Sequence, residues 1–537
     1  MKEPEGCIIV YDYKGYLVNQ RGECYDKKTQ IQIIISDHIV MRSEFIHWGC
    51  LYPVNGYTNS YHFGKGMLMK RILNCLLGCM LVLGGTAGAG SEGNTSIVGE
   101  THIGDPRAYG AVYDGLYDCA PAINECIQNH KHVKLRGEGV ALCRSTIMVK
   151  SDTWLELDRD FTIKLADNAN TVLIKNKWAE QAYFMEKNLI NGAVPTFMAE
   201  IYPDYGSYPS TNYILGAAET NIRITGGIFD GNGGNNSRKD HLYGCVGFVG
   251  VLLQIVNVRG FEMEGVTLKD ACTYNAEFCM LSEFFINNIT LKFGKGRPNI
   301  DGIHFEGDCY KGTVQNIFGR TNDDMVTFNG GDSWYPGNHL GTPAPEAKRE
   351  WFPFRQGAIK NITVKNIFAT DGYRAVRLLS NIKREGLSPA TETEGMDDIL
   401  IDGIYGDFRV DCVLISKHYN RDSPYGHITV KNVHATSTGV NNINIHNVSI
   451  DSLVLDSIRY VPTNSSKNFI VNKGNIKSLM IRDTLIDGKG EDLSAKTVIN
   501  NTGTINKLKL INVTQKDANY SGLIDKATPT ESLMSDY

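Results

Sequence analysis

Thr313-Val314-Gln315-Asn316-Ile317-Phe318 returns as Thr363-Val364-Lys365-Asn366-Ile367-Phe368, an offset of 50 (313 to 363) with one change in six positions. Each copy alternates apolar and polar residues about an asparagine, the period-2 pattern of a short, half-buried strand. Related phrases, Asn-Ile-x-Ile or close variants, recur along the chain. They are Asn221-Ile222-Arg223-Ile224, Asn288-Ile289-Thr290-Leu291, Asn361-Ile362-Thr363-Val364, Asp398-Ile399-Leu400-Ile401, His427-Ile428-Thr429-Val430, Asn444-Ile445 and Asn475-Ile476-Lys477-Ser478-Leu479. Strands this short cannot bury a face alone, so neighbouring repeats must supply the core. Spacings of roughly 20–30 residues, longer where loops intrude, predict an all-β solenoid of stacked coils.

Continuing that register toward the C-terminus places Asp324 beside Arg374 and Thr327 beside Arg377. One coil earlier, at an offset of 23, Asp301 falls on Asp324 and His304 on Thr327; one coil later, at 37, Asp411 falls on Arg374. Two columns result: Asp301, Asp324, Arg374, Asp411, and His304, Thr327, Arg377, Leu414. Successive coils of a parallel sheet lie ~4.7–4.9 Å apart, so column members are close neighbours. With Val326 and Phe328 facing the core, alternation points Asp323, Met325 and Thr327 outward, and the preceding bend turns Asp324 out. Acids paired on a rigid ladder are what cleavage of a glycosidic bond needs. Arginines stacked over carboxylates bind an acidic substrate or hold the acids in place.

The remaining chain sets the context. A length of 537 residues suits two to four globular domains, or one solenoid growing in a single dimension. Its formal charge of −5 gives no electrostatic support for nucleic-acid binding. Fifty-five Gly against 16 Pro fit short strands and tight turns. Residues 67–89 have the order of a secretory signal peptide: Lys70 and Arg71, an apolar run from Ile72 to Gly85, then Ala87-Gly88-Ala89. The expected plan is therefore an upstream segment, 1–66, outside the mature protein, a signal peptide at 67–89, and a β-helix domain from 90 to 537. The alternative, an internal membrane anchor, has an apolar run short of the ~20 residues that span a bilayer. A secreted or periplasmic protein with no stable membrane span in its mature form is expected, and the sequence leaves its oligomeric state open. Of 13 Cys, eight follow residue 89; none forms a close Cys-x-x-Cys pair, and apolar contexts predict buried free thiols. Coils begin near 107 with a helix from about Ala120 to Asn129. An aromatic insert at 178–214 is expected to wall a groove, and a loop at 332–356 accounts for the extra length of its coil.

Several motifs resemble known sequences. Tyr109-Gly110-Ala111, Asp114-Gly115 and Asp118 resemble the N-terminal cap of pectate-lyase-superfamily and tailspike-like β-helices. Gly226-Gly227-Ile228-Phe229-Asp230-Gly231-Asn232-Gly233, Asn299-Ile300-Asp301-Gly302 and Asn322-Asp323-Asp324-Met325-Val326-Thr327-Phe328-Asn329 resemble glycoside hydrolase family 28, the polygalacturonases. The resemblance implies a right-handed parallel β-helix with a short N-terminal capping helix, and inverting hydrolysis. Asp323 would be the general acid, Asp301 and Asp324 would activate water, and His304, Arg374, Arg377 and His339 would bind an acidic, pectin-like polysaccharide. The chain departs from the family at its Gly-His-Gly motif, where it offers Asn338-His339-Leu340-Gly341, and at Arg-Ile-Lys, where it has Arg377-Leu378-Leu379.

Two other readings use the same residues. A polysaccharide lyase would hold Ca²⁺ on the Asp cluster, with Arg377 or His304 abstracting a proton; the hydrolase needs no cofactor. A non-catalytic glycan-binding β-helix would keep the groove and lack turnover, its aspartates serving as turn caps.

Overall fold

A computed structural model of the chain describes residues 10–11, 17–18, 24–25, 102–179, 217–236, 250–294, 300–330, 358–380, 395–417, 424–437, 441–462, 468–524 and 532–536. The chain divides into two compact units, Met1–Thr95 and Ser96–Tyr537. In the first, the short strands Val10–Tyr11, Leu17–Val18 and Cys24–Tyr25 pair antiparallel. The signal-like segment 67–89, the loop 332–356 and all of the insert 178–214 beyond Ala179 lie outside the described residues. Among those described, no helix is long and apolar enough to cross a membrane.

The second unit opens with a 3₁₀ turn, Pro106–Tyr109, and the helix Ala120–Asn129. That helix buries Ala120, Ala122, Ile123, Cys126 and Ile127, one face at helical spacing, over the first coils of the core. Beyond it the chain is a right-handed parallel β-helix, as predicted. Among the described residues, 26 strands link into one continuous parallel ladder. Inside, aromatic rings stack coil upon coil: Phe278 on Phe305 at 5.3 Å and Phe305 on Phe328 at 5.0 Å between centroids. The seven described cysteines of this unit are buried free thiols, as their apolar contexts predicted.

The Asn-Ile phrase marks two corners of each coil rather than one. Asn221, Glu283, Lys311, Asn361 and Asp398 hold left-handed backbone at the first corner, and Asn288, Asn316, Asn366, Asn432, Asp483 and Asn512 hold it at the second. Asparagine tolerates that conformation better than other residues with a Cβ, which explains its recurrence. At the second corner its side chains bond along the stack: Asn316 Nδ2 donates to Asn287 Oδ1 at 2.8 Å, and Asn366 Nδ2 to Asn316 Oδ1 at 3.0 Å. Asn444 and Asn475 share the phrase without the role. Asn444 stands opposite Leu414 in the sheet that carries the acids.

Candidate active site

That sheet stacks Ile303–Phe305, Asp324–Asn329, Arg374–Ser380 and Val413–Lys417 in successive coils. His304 pairs with Thr327, Thr327 with Arg377, Arg377 with Leu414, and Asp324 with Arg374. These are the neighbours expected from the offsets of 23, 50 and 37. The same outward file continues upstream through Glu277, Gln254 and Lys175. Lys175, Gln254, Glu277, His304 and Thr327 of this file are buried, and Arg377 is half-buried.

Tight bends hold the acids at the strand starts. Gly302 donates its N–H to the Asp324 carbonyl at 2.8 Å, and a Cβ there would lie 2.4 Å from the Met325 carbonyl oxygen. Only glycine lets the Asp301 bend press so closely on the next coil. Thr321 Oγ1 donates to the Asp323 carbonyl at 2.6 Å. Arg409, reaching across from a later coil, donates to Asn322 Oδ1 at 3.1 Å and to the Thr321 carbonyl at 2.9 Å. This bend corrects one expectation: Met325, predicted to face outward, is fully buried in the hydrophobic core. Simple alternation begins only at Val326, because Met325 and Val326 are consecutive and both buried in the core.

The three aspartates sit in different electrostatic settings. Asp324 is fully buried and takes a 2.5 Å hydrogen bond from Arg374 Nη1, with Arg377 Nη1 3.6 Å from its other oxygen. Arg374 Nε also lies 3.7 Å from Asp411 Oδ2, so the arginine bridges two carboxylates of its column. Both guanidinium groups are held above their ordinary pKa: burial opposes their charge, but the neighbouring aspartates outweigh it, Asp324 foremost. Asp301 Oδ2 takes hydrogen bonds from His304 Nδ1 at 2.8 Å and Thr327 Oγ1 at 2.9 Å, leaving Oδ1 without one among the described residues. Asp323 is the most exposed of the three, its side chain 18% accessible, and Arg374 reaches it only at 4.0 Å. Burial, followed by the charges of Asp324 and Asp301, raises the Asp323 pKa well above the usual carboxylate range against the pull of Arg377 and Arg374.

His304 is sandwiched. Its Nε2 meets Glu306 Oε1 at 3.0 Å, and the Tyr274 ring stacks on it at 4.0 Å with planes 6° apart. Burial alone would lower its pKa, but the hydrogen bonds and charges of Asp301 and Glu306 raise it well above the ordinary histidine value. Glu306 was legible as a neighbour, since it lies two residues along the same strand face. Tyr274 was not: it belongs to the turn before the strand Ala276–Lys292. His339, the fourth expected substrate-binding residue, lies outside the described residues.

The coiled fold defines a class, parallel β-helix proteins, and the comparisons narrow it. The family model of glycosyl hydrolases family 28 matches residues 195–337, a stretch holding Asp301, His304, Asp323 and Asp324 and ending before Arg374 and Arg377. The match supports a glycoside hydrolase and agrees with the motif resemblance. No curated protein matches the chain. Among solved structures, the exopolygalacturonase of Thermotoga maritima is similar at 14% identity, covering 78% of this chain and 94% of its own, with a TM-score of 0.50. The Azotobacter vinelandii mannuronan C-5 epimerase AlgE6 A-module is similar at 13% identity, 80% and 99% coverage and a TM-score of 0.47. The Streptococcus pneumoniae surface adhesin PfbA follows at 15% identity, 79% and 93% coverage and a TM-score of 0.45. At these identities the likeness concerns the fold.

Proposed function

We propose that the chain is a secreted glycoside hydrolase that cleaves an acidic, uronate-containing polysaccharide with inversion. One observation carries the reading: of three clustered aspartates, the least buried, Asp323, favours the protonated form, while Asp324 and Asp301 are bonded to cationic partners. Asp323 donates its proton to the leaving glycosidic oxygen. Asp301 Oδ1 and Asp324 Oδ2 face the water that attacks the anomeric carbon from the opposite side. Inversion requires ~6.5–9.5 Å between acid and base carboxyls, with the water between base and sugar. Arg377, its side chain 24% accessible and its Nε without a hydrogen-bond partner among the described residues, supports recognition of a uronate carboxylate. Secretion rests on the signal-like segment 67–89.

The geometry disfavours the Ca²⁺-dependent lyase. A lyase needs carboxylates free for the ion, whereas Asp324 and Asp301 already bond Arg374 and His304. His304 has both ring nitrogens bonded to carboxylates, so it has no lone pair free to abstract a proton. Among the described residues, acid and imidazole groups converge at ion-binding distance only at Asp397, Asp398 and His427, on the strands Met396–Phe408 and Pro424–Ser437 rather than on those that carry the site aspartates.

The test is to digest a panel of pectic and glycosaminoglycan polymers with the full chain, using Asp323→Asn as the control. New reducing ends without ultraviolet-absorbing unsaturated products support the hydrolase. Unsaturated products that disappear with chelator would establish the lyase instead, and no release from any acidic glycan would defeat both enzyme readings.

A further inference from the structure

We propose that His304 and Glu306 are positioning residues for Asp301: an imidazolium locked between two carboxylates holds the Asp301 carboxylate in place, with Oδ1 presented to the attacking water. The roles rest on the hydrolase reading above; the clamp itself does not. Four observations meet at this ring. Nδ1 and Nε2 each lie within 3.0 Å of a carboxylate oxygen, which only a doubly protonated ring can satisfy as donor on both sides. Tyr274 covers one face at 4.0 Å, so the ring cannot rotate away. Thr327, from the next coil, donates to the same Asp301 oxygen as His304 does and so fixes the carboxylate plane. The clamp is buried throughout, with Asp301, His304, Glu306 and Thr327 between 1% and 4% accessible.

The charges around His304 favour the imidazolium from several directions. On its own coil stand Asp301 and Glu306. On the preceding coil Glu277 pairs opposite it, bonded to Gln254 Nε2 at 2.6 Å. On the following coil come Asp323 and Asp324, and beyond them Arg374 and Arg377, whose charge is directed at Asp324. Glu306 therefore acts through His304: it supplies the second carboxylate that keeps the ring charged.

The test reads the ring and the rate separately. In full-length protein with ¹⁵N-labelled histidine, the His304 signal is identified by its loss in His304→Gln. It should remain that of an imidazolium at about pH 8, where an ordinary histidine of pKa about 6.5 is neutral. Glu306→Gln should bring its titration down by at least about one pH unit. On the glycan that the wild type cleaves, Glu306→Gln should lose roughly tenfold in kcat at about pH 8 with KM little changed, the loss shrinking as the pH falls and the ring recharges. Glu306→Asp should recover much of it. A His304 that titrates near the ordinary value in the wild type overturns the clamp. A kcat loss equal at every pH, or none, overturns its role in the reaction. If the wild type cleaves nothing, the hydrolase reading fails while the histidine titration still decides the clamp.

Discussion

The same coils present two faces that stack by opposite rules. On the face beyond the second corner, Phe318, Phe368, Tyr405 and His434 lie one above another, with centroid spacings of 5.1, 5.0 and 6.0 Å. Beside them Asn316 and Asn366 bond each other. Stacked rings and bonded amides are satisfied by like neighbours, so this face tolerates repetition. On the acid-bearing face identical neighbours would be like charges one coil apart, which repel. There each acid takes a partner of its own, Asp324 and Asp411 bridged by Arg374 and Asp301 bonded to His304. A repeated fold thus makes positions alike, and the residues that break the repeat concentrate charge where chemistry can use it.

The comparison predicts that substitutions on the acid face have larger consequences than those on the ladder face. Asp323→Asn should lower kcat by about 10³-fold, within the range of lost general acid catalysis. Its stability should move the other way. A carboxyl whose folded pKa is raised contributes stability below its unfolded pKa and loses it as pH rises through the folded value. Asn, which cannot ionise, should therefore match the wild type in acid and melt higher at alkaline pH, as scanning calorimetry at two pH values would show. Equal melting temperatures at both would deny the raised pKa.

Arg374→Met should cost about 3–5 kcal/mol in urea denaturation, because it strands buried carboxylates on two coils. Pairing it with Asp324→Asn should recover part of the loss. At the corner, Asn366→Ala should cost about 1–2 kcal/mol for left-handed backbone, and Asn366→Gly markedly less. Phe368→Ala, on the exposed ladder, should cost least, about 0.5–1.5 kcal/mol. A Phe368→Ala loss exceeding that of Arg374→Met would reverse the ranking and remove the distinction between the faces.

Much of this arrangement was legible before any coordinates. The near-identity of the phrases ending in Phe318 and Phe368 carries the register, and the register alone predicts that Asp324 meets Arg374 and His304 meets Thr327. It fails where the chain bends. Met325 has outward parity on paper, yet it and Val326, consecutive residues at the bend, both turn inward, so alternation starts only at Val326. The Asn-Ile phrase looks like one repeat mark and is two, because both corners ask for the same backbone conformation.

Sequence alone therefore determined the coil, its register and which residues share a column, since alternation and strand spacing are local properties that any short stretch displays. Tertiary structure decided which partner each charge takes: Arg374 for Asp324, Glu306 and Tyr274 for His304, and an Asp323 left half-free. Those choices depend on burial and on groups brought together from distant coils, where the stability of a charge depends on its neighbours and its access to water.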